Sequence, residues 1–176
     1  AAQAVYRGGA GRRYHVDKRG VPPEAVSWIA RARAALFNAH VGPGDEVLEF
    51  GVGAGWNLLG LQARRRVGCD VSDLARDAMA SAGIEFVGGM DELASGSFDR
   101  VLCHHALEHV PDPVATLVAI RRVMRPGGLL LLAVPWESQW HYRRFVVDEP
   151  NHHLFSWNVQ SLGNLVGVAG FRIRRI

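Results

Sequence analysis

Residues 46–55 read EVLEFGVGAG, and this stretch decides the reading of the chain. Glu46–Phe50 reads as a strand, residues 51–55 as a glycine loop, and Trp56–Ala63 as a short helix. The glycines let the backbone turn tightly and let a ligand approach it closely. A glycine loop after a strand is a nucleotide-binding signal, weak when it stands alone. Its spacing narrows the ligand. The dinucleotide fingerprint G-x-G-x-x-G would need its third glycine where Trp56 stands, and the loop is G-x-G-x-G instead. No Gly-Lys-Ser/Thr follows, so the phosphate-gripping P-loop fails as well. Glu49, just before the glycines, would repel a pyrophosphate and would tolerate a cationic amino group.

Outward from this unit, strands and helices alternate. Toward the C-terminus the expected elements are a strand at Arg66–Asp70, a helix at Ala75–Ala82 closed by Gly83, and a strand at Ile84–Val87. Then come a strand at Arg100–His104, a helix at Val114–Met124 and a turn at Pro126-Gly127-Gly128. Leu129–Val134 is a fifth strand, apolar on both faces as for a strand covered on both sides. Asn158 caps a last helix that ends at Gly170, and Phe171–Ile176 is a sixth strand. Toward the N-terminus, Pro22 and Pro23 open a helix whose Val26, Ile29, Ala30, Arg33, Leu36 and Phe37 have helical spacing through about His40. Residues 1–20, rich in Gly and Arg, read as a mobile arm, and 21–176 as a single domain. The fold class is therefore α/β, a doubly wound, mostly parallel sheet. Ligands in such sheets bind outside the carboxyl ends of the strands, at the switch point.

Size and composition agree. A chain of 176 residues suits one core, and 48% hydrophobic with 21% charged residues is ordinary for a globular protein. No apolar run reaches the ~18 residues that span a bilayer, and no signal peptide is visible. Cys69 and Cys103 lie in strand-like runs and read as reduced core residues, which makes a cytoplasmic setting the expectation. The net charge is +3, and the arginines are scattered in small groups that read as a solvated surface. Aromatics interleaved with a basic face are missing, which argues against nucleic acid as a partner.

Asp70 ends the second strand, 21 residues after Glu49. A carboxylate there can accept from both hydroxyls of a ribose. The alternative role is a helix cap, a job open to Ser72 or Asp73. With these pieces in place, the sequence resembles class I S-adenosylmethionine-dependent methyltransferases over about residues 44–176. The blocks are VLEFGVGAG (47–55), VGCDVS (67–72), FDRVLCHHALEHVPDP (98–113), RRVMRPGGLLLLAVP (121–135) and NHHLFSWNVQSLGNLVGVAGF (151–171). It looks most like the small-molecule branch that includes quinone-biosynthesis methyltransferases. The resemblance implies S-adenosylmethionine as cofactor. Glu49, Gly51 and Gly53 would border its methionine part, Asp70 would bind the ribose, Met90 would lie against the adenine, and His104 beside the amino group. Many relatives have an Asp just before the Met90 position; this chain has Gly89, and Asp91 is the nearest substitute. Relatives usually add a seventh, antiparallel strand. The chain stops at Ile176, so a sheet lacking that strand is expected, with an open edge that invites pairing in a homodimer.

In methyl transfer from a sulfonium the cofactor supplies the electrophile, and the protein chiefly positions the nucleophile. A hydroxyl acceptor must also lose a proton, which an imidazole is suited to take. His105, His109, His152 and His153 are the candidates. His109 and His153, which match the family blocks LEHV and HLF, are favoured as catalytic. His105–His109 also spells H-x-x-E-H, an inverted zinc-protease pattern. Pro111 and Pro113 deny it the long helix it needs, so no metal ligand is assigned. Trp136, Trp140, Tyr142 and Phe145 form either a substrate lid or hydrophobic cover. Three activities compete: methyl transfer to a small-molecule hydroxyl, a cofactor-binding partner subunit without turnover, and a nicotinamide-dependent oxidoreductase.

Overall fold

The computed structural model describes Tyr6, Gly8, residues 21–136, Phe145, Val147 and residues 151–176. Among them a parallel five-stranded sheet carries the fold. Its strands are β1 (Glu46–Phe50), β2 (Arg65–Cys69), β3 (Glu85–Val87), β4 (Phe98–His104) and β5 (Met124–Ala133), in the spatial order β3-β2-β1-β4-β5. The helices are α1 (Pro23–Ala35), α2 (Trp56–Leu59), α3 (Asp73–Ala82), α4 (Pro113–Val123) and α5 (Val159–Val168). The chain winds outward from β1 to β3, then returns to lay β4 on the other side of β1. The switch point lies between β1 and β4, and their carboxyl ends open a crevice there.

Both faces of the sheet are covered, which explains the apolar strands. Side chains alternate between two cores. Val47 and Leu102 pack with Ala34, Leu58 and Met79 on one face, while Leu48, Val101 and Cys103 pack with Leu117 and Ile120 on the other. Local signals set the helix ends. α3 stops at Gly83, whose φ of 64° is left-handed. α4 begins after Asp112, whose side chain accepts from the Ala115 N–H. Asn158 and Ser161 form a reciprocal capping box at the start of α5.

Four expectations need correction. The short helix after the glycine loop ends at Leu59 rather than Ala63. The first helix ends at Ala35, and hydrogen-bonded turns rather than helix carry the chain to His40. Pro126-Gly127-Gly128 is not a turn before the fifth strand but an irregularity inside it. Pairing jumps from Phe98–Met124 to Arg100–Leu129, so that one residue of β4, Asp99, is left opposite four of β5, residues 125–128. Phe171–Ile176 is not a sixth strand. The alternation of FRIRRI suggests one, but after Gly170 the Phe171 N–H donates to Val166 O, and Ile173 and Ile176 lie beside Gly163 on α5. The segment packs on its own helix instead of pairing.

The arginines at the sheet's amino edge are spent on surface ion pairs: Arg65 with Glu85, and Arg125 with Asp99 and Glu46. Among the described residues, no helix is long and apolar enough to cross a membrane. Trp136 and Phe145 are exposed; Trp140 and Tyr142 lie outside the described residues, as does most of the 1–20 arm.

Candidate active site

The glycine loop is shaped by one steric demand. Gly51 leaves β1 with a φ of 72°, and a Cβ there would strike the side chain of Ala106 beyond β4. Only glycine satisfies both the backbone region and the space. The Gly51 and Val52 N–H groups donate to Cys69 O at 2.8 and 3.2 Å, folding the loop back across the end of β2. Gly53 N–H donates to Asp70 Oδ2 at 2.8 Å, and Ser72 N–H donates to Asp70 Oδ1 at 2.9 Å. Asp70 is thus pinned by backbone with its carboxylate on the crevice. The N-cap position of α3 belongs to Ser72, so Asp70 is not the cap.

Glu49 is buried, 1% exposed, at the floor of the same loop. Asn57 of α2 donates to its Oε1. Glu49 Oε2 and Asn57 Oδ1 have no hydrogen-bond partner among the described residues, and both residues line the crevice. Burial pushes the Glu49 carboxyl up to about 8, against the pull of the Asn57 hydrogen bond and the Arg33 charge. A carboxyl raised this far holds its proton at neutral pH, and a cation or hydrogen-bond donor brought to Oε2 would favour its ionised form.

At this end of the crevice, Arg33 and Asn57 are residues the sequence reading missed. A visible signal existed for the first. Arg33 is the one charged residue on the otherwise apolar stripe of α1. Its guanidinium donates to His104 Nδ1 at 3.2 Å and lies 5.4 Å from the Trp56 ring. His104 is depressed to about 4, mainly by burial and then by the neighbouring His105 and Arg33, so it is a neutral acceptor at physiological pH. Met90 and Asp91 sit on a short 3-10 turn across the crevice from α2, half-buried and exposed respectively.

The opposite end of the crevice is a histidine cluster around one buried acid. After β4 the chain makes a tight turn in which His105 takes a φ of 52°, a costly conformation for a side-chain-bearing residue. The turn buries Glu108 completely. His105 Nδ1, His109 Nε2 and His153 Nε2 lie 3.6, 3.8 and 4.0 Å from Glu108 Oε1. Burial alone would raise the Glu108 carboxyl, but the His105 imidazole, its own backbone N–H and the charge of His109 together hold it below the usual range. His153 arrives from far along the chain because Leu154 N–H donates to Glu108 O at 2.8 Å. The His109 and His153 rings then meet edge to face at 4.9 Å. Ligand atoms of Glu108, His109 and His153 fall within 4.8 Å of one another, a spacing compatible with a cation. His152, in contrast, offers its carbonyl to His109 Nδ1, at 3.5 Å.

A cavity of about 1020 Å³ joins the two ends, lined from Glu49, Gly53 and Asp70 through Met90 to His109 and His153. Unlike His152, residues Glu49, Gly51, Gly53, Asp70, Met90, His104, His109 and His153 thus all line one crevice. Its volume suits a nucleoside-sized ligand with a second molecule beside it.

Comparison with known proteins agrees with this arrangement. A methyltransferase-domain family model matches residues 21–176. A ubiquinone biosynthesis O-methyltransferase of Xanthomonas campestris pv. campestris (strain B100) is 36% identical over 126 residues, 63% of this chain and 48% of that protein. The corresponding protein of Xanthomonas axonopodis pv. citri is 34% identical over 128 residues, 64% of this chain and 52% of that protein. The chain spans about half the length of the curated relatives it matches. In fold it is similar to a Thermotoga maritima protein described as a SAM-dependent methyltransferase, possible histamine N-methyltransferase. The TM-score is 0.75 at 19% identity, covering 98% of this chain and 82% of that one. The match to the family model runs through every element from α1 to the last residue, and the chain belongs to the methyltransferase-domain family.

Proposed function

We propose that this domain binds S-adenosylmethionine at the glycine-loop end of the crevice and methylates a hydroxyl oxygen of a small molecule held at the histidine end. The observation that carries the reading is the chemical asymmetry of one cavity. One end has a glycine turn, a backbone-pinned carboxylate and orphaned buried polar atoms; the other has imidazoles ringed around a buried anion. The cofactor fits these residues, and when bound it supplies an electrophilic methyl group. Asp70 holds the ribose hydroxyls, and Met90 covers the adenine. Glu49, through Oε2, meets the amino group beside His104, and Gly51 and Gly53 admit the methionine part. His109 accepts the acceptor's proton, with Glu108 stabilising the imidazolium that results and His153 orienting the ring. The name of the Xanthomonas relatives supports oxygen as the target and a phenol-like acceptor. The missing third glycine and the acid at Glu49 speak against a nicotinamide cofactor. The two buried free thiols fit a cytoplasmic setting. A homodimer is the expected assembly, without nucleic acid.

The test is calorimetry followed by a transfer assay. S-adenosylmethionine or S-adenosylhomocysteine should bind in the micromolar range and NAD should not. Labelled methyl should pass to 3,4-dihydroxybenzoate, used as a phenolic probe. NAD binding in place of S-adenosylmethionine would overturn the reading. Cofactor binding with no transfer to any hydroxyl compound would favour the partner-subunit alternative.

A further inference from the structure

We propose that the hydroxyl of Tyr6 relays the acceptor's proton to His109. This rests on the reading of the crevice as a hydroxyl-methylating site. Tyr6 lies 103 positions before His109, yet its hydroxyl sits 2.9 Å from His109 Nδ1 and its ring stands edge-on to the imidazole at 5.5 Å. It also lines the cavity that holds His109 and His153.

The tautomer follows from the neighbours. When the Tyr6 hydroxyl donates to Nδ1, the ring proton resides on Nε2, the nitrogen that faces Glu108 Oε1 at 3.8 Å. That is the tautomer an adjacent buried carboxylate favours. It leaves the basic lone pair at Nδ1, facing the Tyr6 hydroxyl, while His152 O at 3.5 Å accepts from Nδ1 once that nitrogen is protonated. An acceptor hydroxyl therefore reaches the base through the Tyr6 oxygen. The acceptor's O–H bond breaks as its proton passes to Tyr6, while Tyr6 gives its own proton to Nδ1. The acceptor oxygen uses the freed electron pair to bond the methyl carbon, whose bond to sulfur breaks with its electrons remaining on sulfur. The positive charge lost at sulfur reappears on His109, between the Glu108 anion and the His153 ring. Tyr6 ends the cycle unchanged, and His109 returns its proton to solvent.

The decisive variant is Tyr6→Phe in the full 176-residue chain, which keeps the ring and removes the relay atom. With S-adenosylmethionine and 3,4-dihydroxybenzoate, kcat should fall by roughly 10²-fold, with KM for the probe and cofactor affinity by calorimetry little changed. A wild-type kcat overturns the relay, and so does a defect confined to KM, which would make Tyr6 a wall of the pocket. A second arm needs no turnover. Imidazole ¹⁵N spectra should show His109 Nδ1 as an unprotonated, hydrogen-bonded nitrogen in the wild type and lose that signature in Tyr6→Phe. Identical spectra overturn the proposal. A wild type that fails to methylate the probe strikes the functional reading alone, and the spectra still decide the Tyr6–His109 contact.

Discussion

The two ends of the crevice are built by different means. The glycine-loop end comes from neighbours in sequence. β1, its loop, α2 and the end of β2 fall within residues 46–72, joined from outside by Arg33, Met90 and His104, and backbone N–H groups hold Asp70. The histidine end is gathered from three distant pieces. Tyr6, the Leu107–His109 turn and the His152–Leu154 segment meet through side chains and one long-range backbone bond. A site of the first kind is fixed when the sheet forms. A site of the second kind depends on long-range packing, so it is where relatives on one scaffold are free to differ in what they accept.

Variants can break this contrast. The largest effect is expected at the histidine end. His109→Gln should lower turnover by roughly 10²–10⁴-fold, the usual worth of a positioned base, while calorimetry finds cofactor affinity intact. If cofactor affinity falls in step with turnover, the two ends are not separable. Equal turnover in His109→Gln, His153→Gln and the double variant would mean that positioning alone drives transfer.

At the other end the expected loss is smaller and sits in affinity. Asp70→Ala removes an ionised acceptor and should weaken cofactor binding by about 1.5–3 kcal/mol, the scale for hydrogen bonds to charged groups. Unchanged binding in a folded Asp70→Ala variant would end the ribose assignment.

The smallest effect is a pH dependence that sharpens the comparison. Glu49 has its carboxyl raised by burial from 4.5 to about 8. Its stabilising contribution is full below the unfolded value and is lost as pH rises toward 8, because the unfolded chain ionises first. A cation bound at Oε2 favours the carboxylate, so cofactor binding at neutral pH should expel a proton. Affinity should then climb by at most about tenfold per pH unit and level off above 8. Calorimetry at pH 7 in buffers of different ionisation heat reads the proton directly. No released proton would mean that Glu49 meets no cation, and Glu49→Gln should flatten the profile.

The sequence carried the first end almost whole. The placement of Glu49, Gly51, Gly53 and Asp70 follows from strand-loop-strand spacing, which is local and periodic. His109 and His153 could be assigned to one sheet edge, but their meeting over Glu108 depends on the Leu154 N–H reaching Glu108 O, and no spacing encodes that. Tyr6 was invisible for the same reason, since it lies in a stretch without periodicity. Arg33 was legible as an anomaly on an apolar stripe and was passed over as part of it. The failed sixth strand had the opposite cause. FRIRRI alternates like a strand, but pairing requires a partner edge, and its isoleucines found Gly163 instead.

The contact between Gly51 and Ala106 has a consequence for how this catalyst can change. The glycine loop and the turn after β4 touch there, Gly51 against the Ala106 side chain, so a bulkier residue at either position would shift both walls of the crevice at once. Selection for new acceptors is thereby channelled away from that seam. It falls on positions such as Tyr6 and His153, each tethered elsewhere in the chain, where an exchange can reshape the acceptor's wall while the distance between the two reacting atoms is inherited unchanged.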